Sequence, residues 1–167
     1  MTKNLIPNVI TLANLILGIT SLWFTMDGHI KEAAVAILLA MILDGMDGRV
    51  ARRLKVSSDF GKELDSLADL VSFGVAPALL TYAAMLYLLG YWGLIISMVF
   101  ALCGAVRLAR FNILNIKTYF IGVPITIAGP LLTIFVLLSN RLPLAFYPVA
   151  TLVLAYLMVS HFKIPKY

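Results

Sequence analysis

DGMDGRVARRLKVSSDFGKELDSLAD, residues 44–69, decides how the rest of this chain is read. The sequence has eight acidic residues, and six of them fall here: Asp44, Asp47, Asp59, Glu63, Asp65 and Asp69. Arg49, Arg52, Arg53, Lys55 and Lys62 share the segment. The residues on either side are apolar. Charges crowded between long apolar runs are costly, and such residues mark sites that do chemistry or transport.

Working outward, the composition excludes an ordinary soluble domain. Of 167 residues, 62% are hydrophobic and 13% charged, and the mean hydropathy is +0.99. A soluble domain is only about half apolar. A helix needs about 20 apolar residues to cross the hydrocarbon core. The pattern predicts six crossings: about 8–26, 32–54, 60–89, 91–113, 124–138 and 144–161. Polar breaks separate them at 25–31, 56–61, 90–93, 114–123 and 139–143. Pro7 suits a helix start, and Ser58 or Asp59 suits the cap of the third helix. Gly129-Pro130 predicts a kink in the fifth. The expected fold is an all-α integral membrane bundle of six transmembrane helices. It forms a single domain over 1–167, with no internal repeat.

The N-terminal run has no small-residue cleavage site after it, so it is expected to be a retained helix rather than a signal peptide. The net charge of +5 has no basic stripe interleaved with aromatics, so nucleic acid is not expected as a partner. The charge follows topology instead. With the N-terminus cytoplasmic, eleven Lys and Arg residues fall on that side and two, Lys31 and Arg141, on the other. The positive-inside rule then puts both termini and the acidic segment at the cytoplasmic face. Cys103, the single cysteine, reads as a small core residue.

Asp44 and Asp47 are three apart near the end of the second helix. Asp65 and Asp69 are four apart near the start of the third. Each pair shares a helix face, and a short loop makes the two helices antiparallel neighbours. Four carboxylates at one depth, facing across helices two and three, repel unless protons or cations neutralise them. Oxygen donors without His or Cys favour hard ions such as Mg²⁺, Mn²⁺ or Ca²⁺. Two ions would suit phosphoryl chemistry. Gly48 and Gly61 allow close backbone approach, and Arg52 offers a planar fork for phosphate. Asp59 and Glu63 read more simply as residues of a helix start. A cation or proton transporter is the contrasting class, but it would need carboxylates deeper in the membrane.

Asp44-x2-Asp47-Gly48-x2-Ala51-Arg52-x8-Gly61-x3-Asp65-x3-Asp69 fills every position of a known signature. On it the chain resembles the CDP-alcohol phosphotransferase family over nearly its whole length. The resemblance implies transfer of a phosphoalcohol group from a CDP-linked donor to a hydroxyl, with CMP leaving. It implies Asp44, Asp47, Asp65 and Asp69 as ligands of two divalent cations, Mg²⁺ or Mn²⁺. It also implies Asp69 as the base, and Gly48, Ala51, Arg52 and Gly61 at the CDP site. Two further stretches, 7–18 and 104–124, resemble the branch that uses L-serine. There the donor is a CDP-activated lipid of the bilayer, CDP-diacylglycerol or CDP-archaeol. Val123 stands where that branch usually has leucine. Glycerol 3-phosphate and an inositol phosphate are the alternative acceptors. Asn8 and Thr11, one turn apart, are expected to face the nucleotide; the plain alternative is a helix cap and a backbone-bonded threonine. Arg107, Arg110, Asn112 and Lys117 are candidates for binding the acceptor or a lipid phosphate. For the arginines the alternative is anchoring to headgroups, and for Asn112 a helix C-cap. A homodimer is expected by analogy with the fold.

Overall fold

Helices account for nearly all of the described residues. A computed structural model describes residues 5–54, 58–114, 119–160 and 163–165. Within these, the side chains of Asp47, Ala51 and Arg52 lie outside the description. The elements are α1 (Leu5–Met26), α2 (Ile30–Leu54), α3 (Asp59–Asp69), a π-helical segment (Leu70–Val75), α4 (Ala76–Ala84) and a 3₁₀ turn (Leu86–Leu89). Then follow α5 (Tyr91–Leu114), β1 (Tyr119–Ile121), α6 (Ile125–Leu137), a 3₁₀ turn (Ser139–Arg141), α7 (Phe146–Val159) and β2 (Lys163–Pro165). Among the described residues three stretches are long and apolar enough to cross a membrane: Pro7–Met26, Asp59–Ala84 and Tyr91–Ile113. The apolar helices α6 and α7 have 13 and 14 residues, short of the roughly 20 that a full crossing takes.

The third expected helix, about 60–89, is not one regular helix. It is α-helical to Asp69, widens into the π turn, resumes as α4 and ends in the 3₁₀ turn. Pro77 gives the physical reason. Proline has no N–H to donate to the carbonyl of Phe73 four residues back, and its ring crowds that carbonyl. A π turn just before it relieves the conflict. Gly90, at φ 57°, then stops the run, as its glycine suggested.

The Phe73 carbonyl meets α6. A Cβ on Gly129 would collide with the Phe73 oxygen and come within 2.9 Å of its Cα. Gly129 therefore lets α6 lie directly on the π segment, where Phe73, Ala128 and Leu132 are fully buried. Pro130 sits inside α6 one residue on. Gly129→Val should force the two backbones apart. Overpacking of this kind costs on the order of 1–3 kcal/mol. The expected readout is a lower thermal unfolding midpoint in detergent; an unchanged midpoint would remove the close approach from the fold's requirements.

The first helix is inverted relative to a water-soluble one. Beyond Pro7, its buried positions are Thr11, Asn14, Gly18, Ser21 and Thr25, while Val9, Leu12, Ile16, Ile19, Trp23 and Met26 are exposed. Water would drive the second set inward. In lipid, tails cover the apolar face and small or polar residues make the helix contacts. Thr25 donates to the Ser21 carbonyl and Thr11 to the Pro7 carbonyl, so these two hydroxyls are satisfied within the helix.

One feature departs from the expectation of helices and plain loops. Residues 119–121 pair antiparallel with 163–165, Phe120 opposite Ile164. Gly122, at φ 69°, lies against the Leu157 and Met158 carbonyls, and the Val123 N–H donates to the Leu157 carbonyl. The connection between α5 and α6 is thus fastened to the end of α7.

Candidate active site

Ser58 sets the start of α3. Its backbone is extended (φ −124°, ψ 150°), and its Oγ accepts from the Gly61 N–H at 3.0 Å, an N-cap of the usual kind. Of the two candidates offered by the sequence, Ser58 takes the role. Asp59 is exposed and pairs loosely with Lys62 at 3.5 Å, which fits its plain reading as a helix-start residue.

From that start, Asp65 and Asp69 fall one turn apart on α3. Asp44 approaches from α2. One carboxylate oxygen from each of Asp44, Asp65 and Asp69 lies within 4.8 Å of the others. Asp69 is 7% exposed, and Asp44 and Asp65 are half-buried. Asp44 and Asp69 come within hydrogen-bonding reach. The side chain of Asp47, the fourth expected ligand, lies outside the described residues.

Three partly desolvated carboxylates at this spacing repel, and a shared cation is the natural counter-charge. The donor set is all oxygen, which suits Mg²⁺ or Mn²⁺. The residues present therefore fit a hard divalent ion.

The expected nucleotide residues border this cluster in part. Asn8 Oδ1 lies 3.0 Å from where a Cβ on Gly61 would stand, so glycine is what lets α1 and α3 touch there. Thr11 is buried and donates to the Pro7 carbonyl at 3.1 Å. Gly48 is half-buried on α2. The side chains of Ala51 and Arg52 lie outside the described residues, as does Lys117.

The two arginines of α5 part company. Arg107 is buried, interacts electrostatically with Asp69, and stacks over Phe111 at 5.8 Å. Arg110 is exposed and donates to the Val159 carbonyl at 3.1 Å. A cation at a helix C-terminus is favourable there, so Arg110 serves the end of α7 rather than the carboxylates. Asn112 is not a helix cap, because α5 runs on to Leu114. Its Nδ2 donates to Ser66 Oγ at 3.0 Å and to Glu63 at 3.4 Å. It thus ties α5 to α3, one residue from Asp65, and gives Glu63 a partner beyond the helix start.

The sequence reading passed over Ser66 and Asn14. Asn14 had a signal: it continues the three-residue spacing of Asn8 and Thr11 on one face of α1. Ser66 had none, because its partner is 46 residues away.

Carboxylates gathered among apolar helices, with a buried arginine near them, fit the class of metal-dependent enzymes that handle phosphates. The chain belongs to the CDP-alcohol phosphatidyltransferase family, whose model matches residues 4–161. Among curated relatives, it is 42% identical over 165 residues to a CDP-diacylglycerol–serine O-phosphatidyltransferase of Bacillus subtilis, covering 98% of this chain and 92% of that one. It is 44% identical over 140 residues to a protein of the same name from Helicobacter pylori, covering 82% and 59%. To an archaetidylserine synthase of Methanothermobacter thermautotrophicus it is 36% identical over 167 residues, covering 96% and 70%.

Proposed function

We propose that this chain transfers a phosphatidyl group from a CDP-activated lipid to the hydroxyl of L-serine, releasing CMP. The names of its relatives supply the serine. The observation that carries the reaction is the cluster of Asp44, Asp65 and Asp69 oxygens within 4.8 Å, with Arg107 beside Asp69. Asp47 completes the ligand set by its place in the signature. Two divalent ions, when bound, supply neutralising charge for the diphosphate and for the CMP that leaves.

The chain's own residues then divide the work. Asp69 takes the proton of the acceptor hydroxyl as its oxygen bonds to the lipid-side phosphorus. The bond from that phosphorus to the bridging oxygen breaks, and the electron pair leaves on CMP. Gly48, Ala51, Arg52 and Gly61, with Asn8 and Thr11, line the CDP side. Arg107 holds an anionic group, the serine carboxylate or a lipid phosphate. Lys117 is a further candidate for that anion, while Arg110 is engaged by its bond to the Val159 carbonyl.

The single domain spans the bilayer six times, with α2 and the shorter α6 and α7 completing the bundle. Both termini and the carboxylates face the cytoplasm, as the eleven-to-two distribution of basic residues favours. Serine and CMP exchange with the cytoplasm while the donor lipid enters from its leaflet, and the working unit is a homodimer.

The test is CMP release from CDP-diacylglycerol or its ether-lipid counterpart, with each candidate alcohol in turn. L-serine with Mn²⁺ or Mg²⁺ should support turnover, and chelation should abolish it until the ion is restored. Turnover with glycerol 3-phosphate or an inositol phosphate but not serine would overturn the acceptor. Turnover with no divalent ion would overturn the role of the carboxylates.

A further inference from the structure

Asn14 is 0% exposed, and neither atom of its carboxamide has a hydrogen-bond partner among the described residues. Buried amides are nearly always satisfied, and an unsatisfied one asks for an explanation. Its backbone is held firmly: the Asn14 carbonyl accepts from Ser72 Oγ at 3.1 Å. The amide is therefore fixed in place with a free donor and a free acceptor.

Its place is informative. α1 runs parallel to α3 and the π segment, at a nearly constant register. Asn8 touches Gly61, and Gly18 meets Ser72, whose Cα lies 2.9 Å from a Cβ built on the glycine. Interpolation between those contacts sets Asn14 near the level of Ala68 and Asp69, and the bond from Ser72 Oγ to its carbonyl ties it to the same stretch. The unsatisfied amide thus lies at the depth of the carboxylate that takes the acceptor's proton.

We propose that the Asn14 carboxamide binds the acceptor alcohol and helps select a zwitterionic amino alcohol over a phosphorylated one. This rests on the acceptor reading above. A neutral amide offers one acceptor for an ammonium and one donor for a hydroxyl or carboxylate. A phosphate dianion would prefer a cation at that point. A site built to pair such polar groups discriminates strongly, because the wrong ligand leaves them unpaired again.

The experiment uses the full chain in detergent with CDP-diacylglycerol and Mn²⁺, titrating L-serine. Asn14→Leu keeps the size and removes both polar atoms. The expected result is a rise of at least about tenfold in KM for serine. KM for CDP-diacylglycerol should stay within about twofold, as should the thermal stabilisation given by CDP-diacylglycerol with Mn²⁺. An unchanged serine KM, as when the amide is satisfied by a buried water alone, overturns the proposal. An equal loss of CDP-lipid binding also overturns it, since Asn14 would then be structural or part of the donor site. If the leucine variant misfolds, Asn14→Ser is read by the same criteria. Wild-type protein that releases no CMP with serine overturns the acceptor reading itself; wild-type turnover with an unmoved KM in the variant overturns only the role of Asn14.

Discussion

Asp69→Asn is expected to reduce CMP release by about 10²–10⁴-fold, the range a positioned base contributes, with much of the CDP-lipid binding retained. The reasoning is geometric. Asp69 is the most buried of the clustered carboxylates, and it sits where α3 gives way to the π turn. As the base, it takes the proton of the acceptor hydroxyl. Asparagine keeps the shape and one oxygen ligand but cannot accept that proton. Single-turnover CMP release measured beside CDP-lipid binding separates the two roles. Turnover within tenfold of wild type would remove Asp69 as the base.

Asp44→Asn is expected to act differently, weakening metal and nucleotide together. Asp44 is the described contribution of α2 to the cluster, so it joins the two halves of the site. Residues that only support a metal ligand typically cost 10–100-fold in affinity when lost. A direct ligand should cost at least about 100-fold in the Mn²⁺ concentration needed for activity. KM for CDP-lipid should rise in the same variant, because the diphosphate relies on the same neutralising charge. An unchanged Mn²⁺ dependence would count against Asp44 as a ligand. Comparing the two variants tests the division of labour, since one should lose rate and the other binding.

Much of this was legible before any coordinates. The apolar runs gave the helices to within a few residues, because span length and hydropathy are local properties. The Asp44–Asp69 spacing pointed to the carboxylate face, because helical periodicity alone brings Asp65 and Asp69 together. The π turn was not read, although Pro77 was its cue; a proline's missing donor signals a disruption without saying what form it takes. The pairing of 119–121 with 163–165 was invisible, since it joins residues over 40 apart with no periodic pattern. Arg107 and Arg110 looked equivalent at a spacing of three. Burial within the electrostatic reach of Asp69 for the first, and a bond to the Val159 carbonyl for the second, separate them.

The inverted first helix has a thermodynamic consequence. The heat-capacity change of unfolding comes mainly from apolar surface newly exposed to water. When α1 separates from its neighbours within a bilayer, Thr11, Asn14, Gly18, Ser21 and Thr25 exchange protein contacts for lipid, and the apolar face keeps the lipid it already had. Little apolar surface meets water. The stability of this contact should vary with temperature along a nearly straight line, without the dome that gives water-soluble proteins a cold limit.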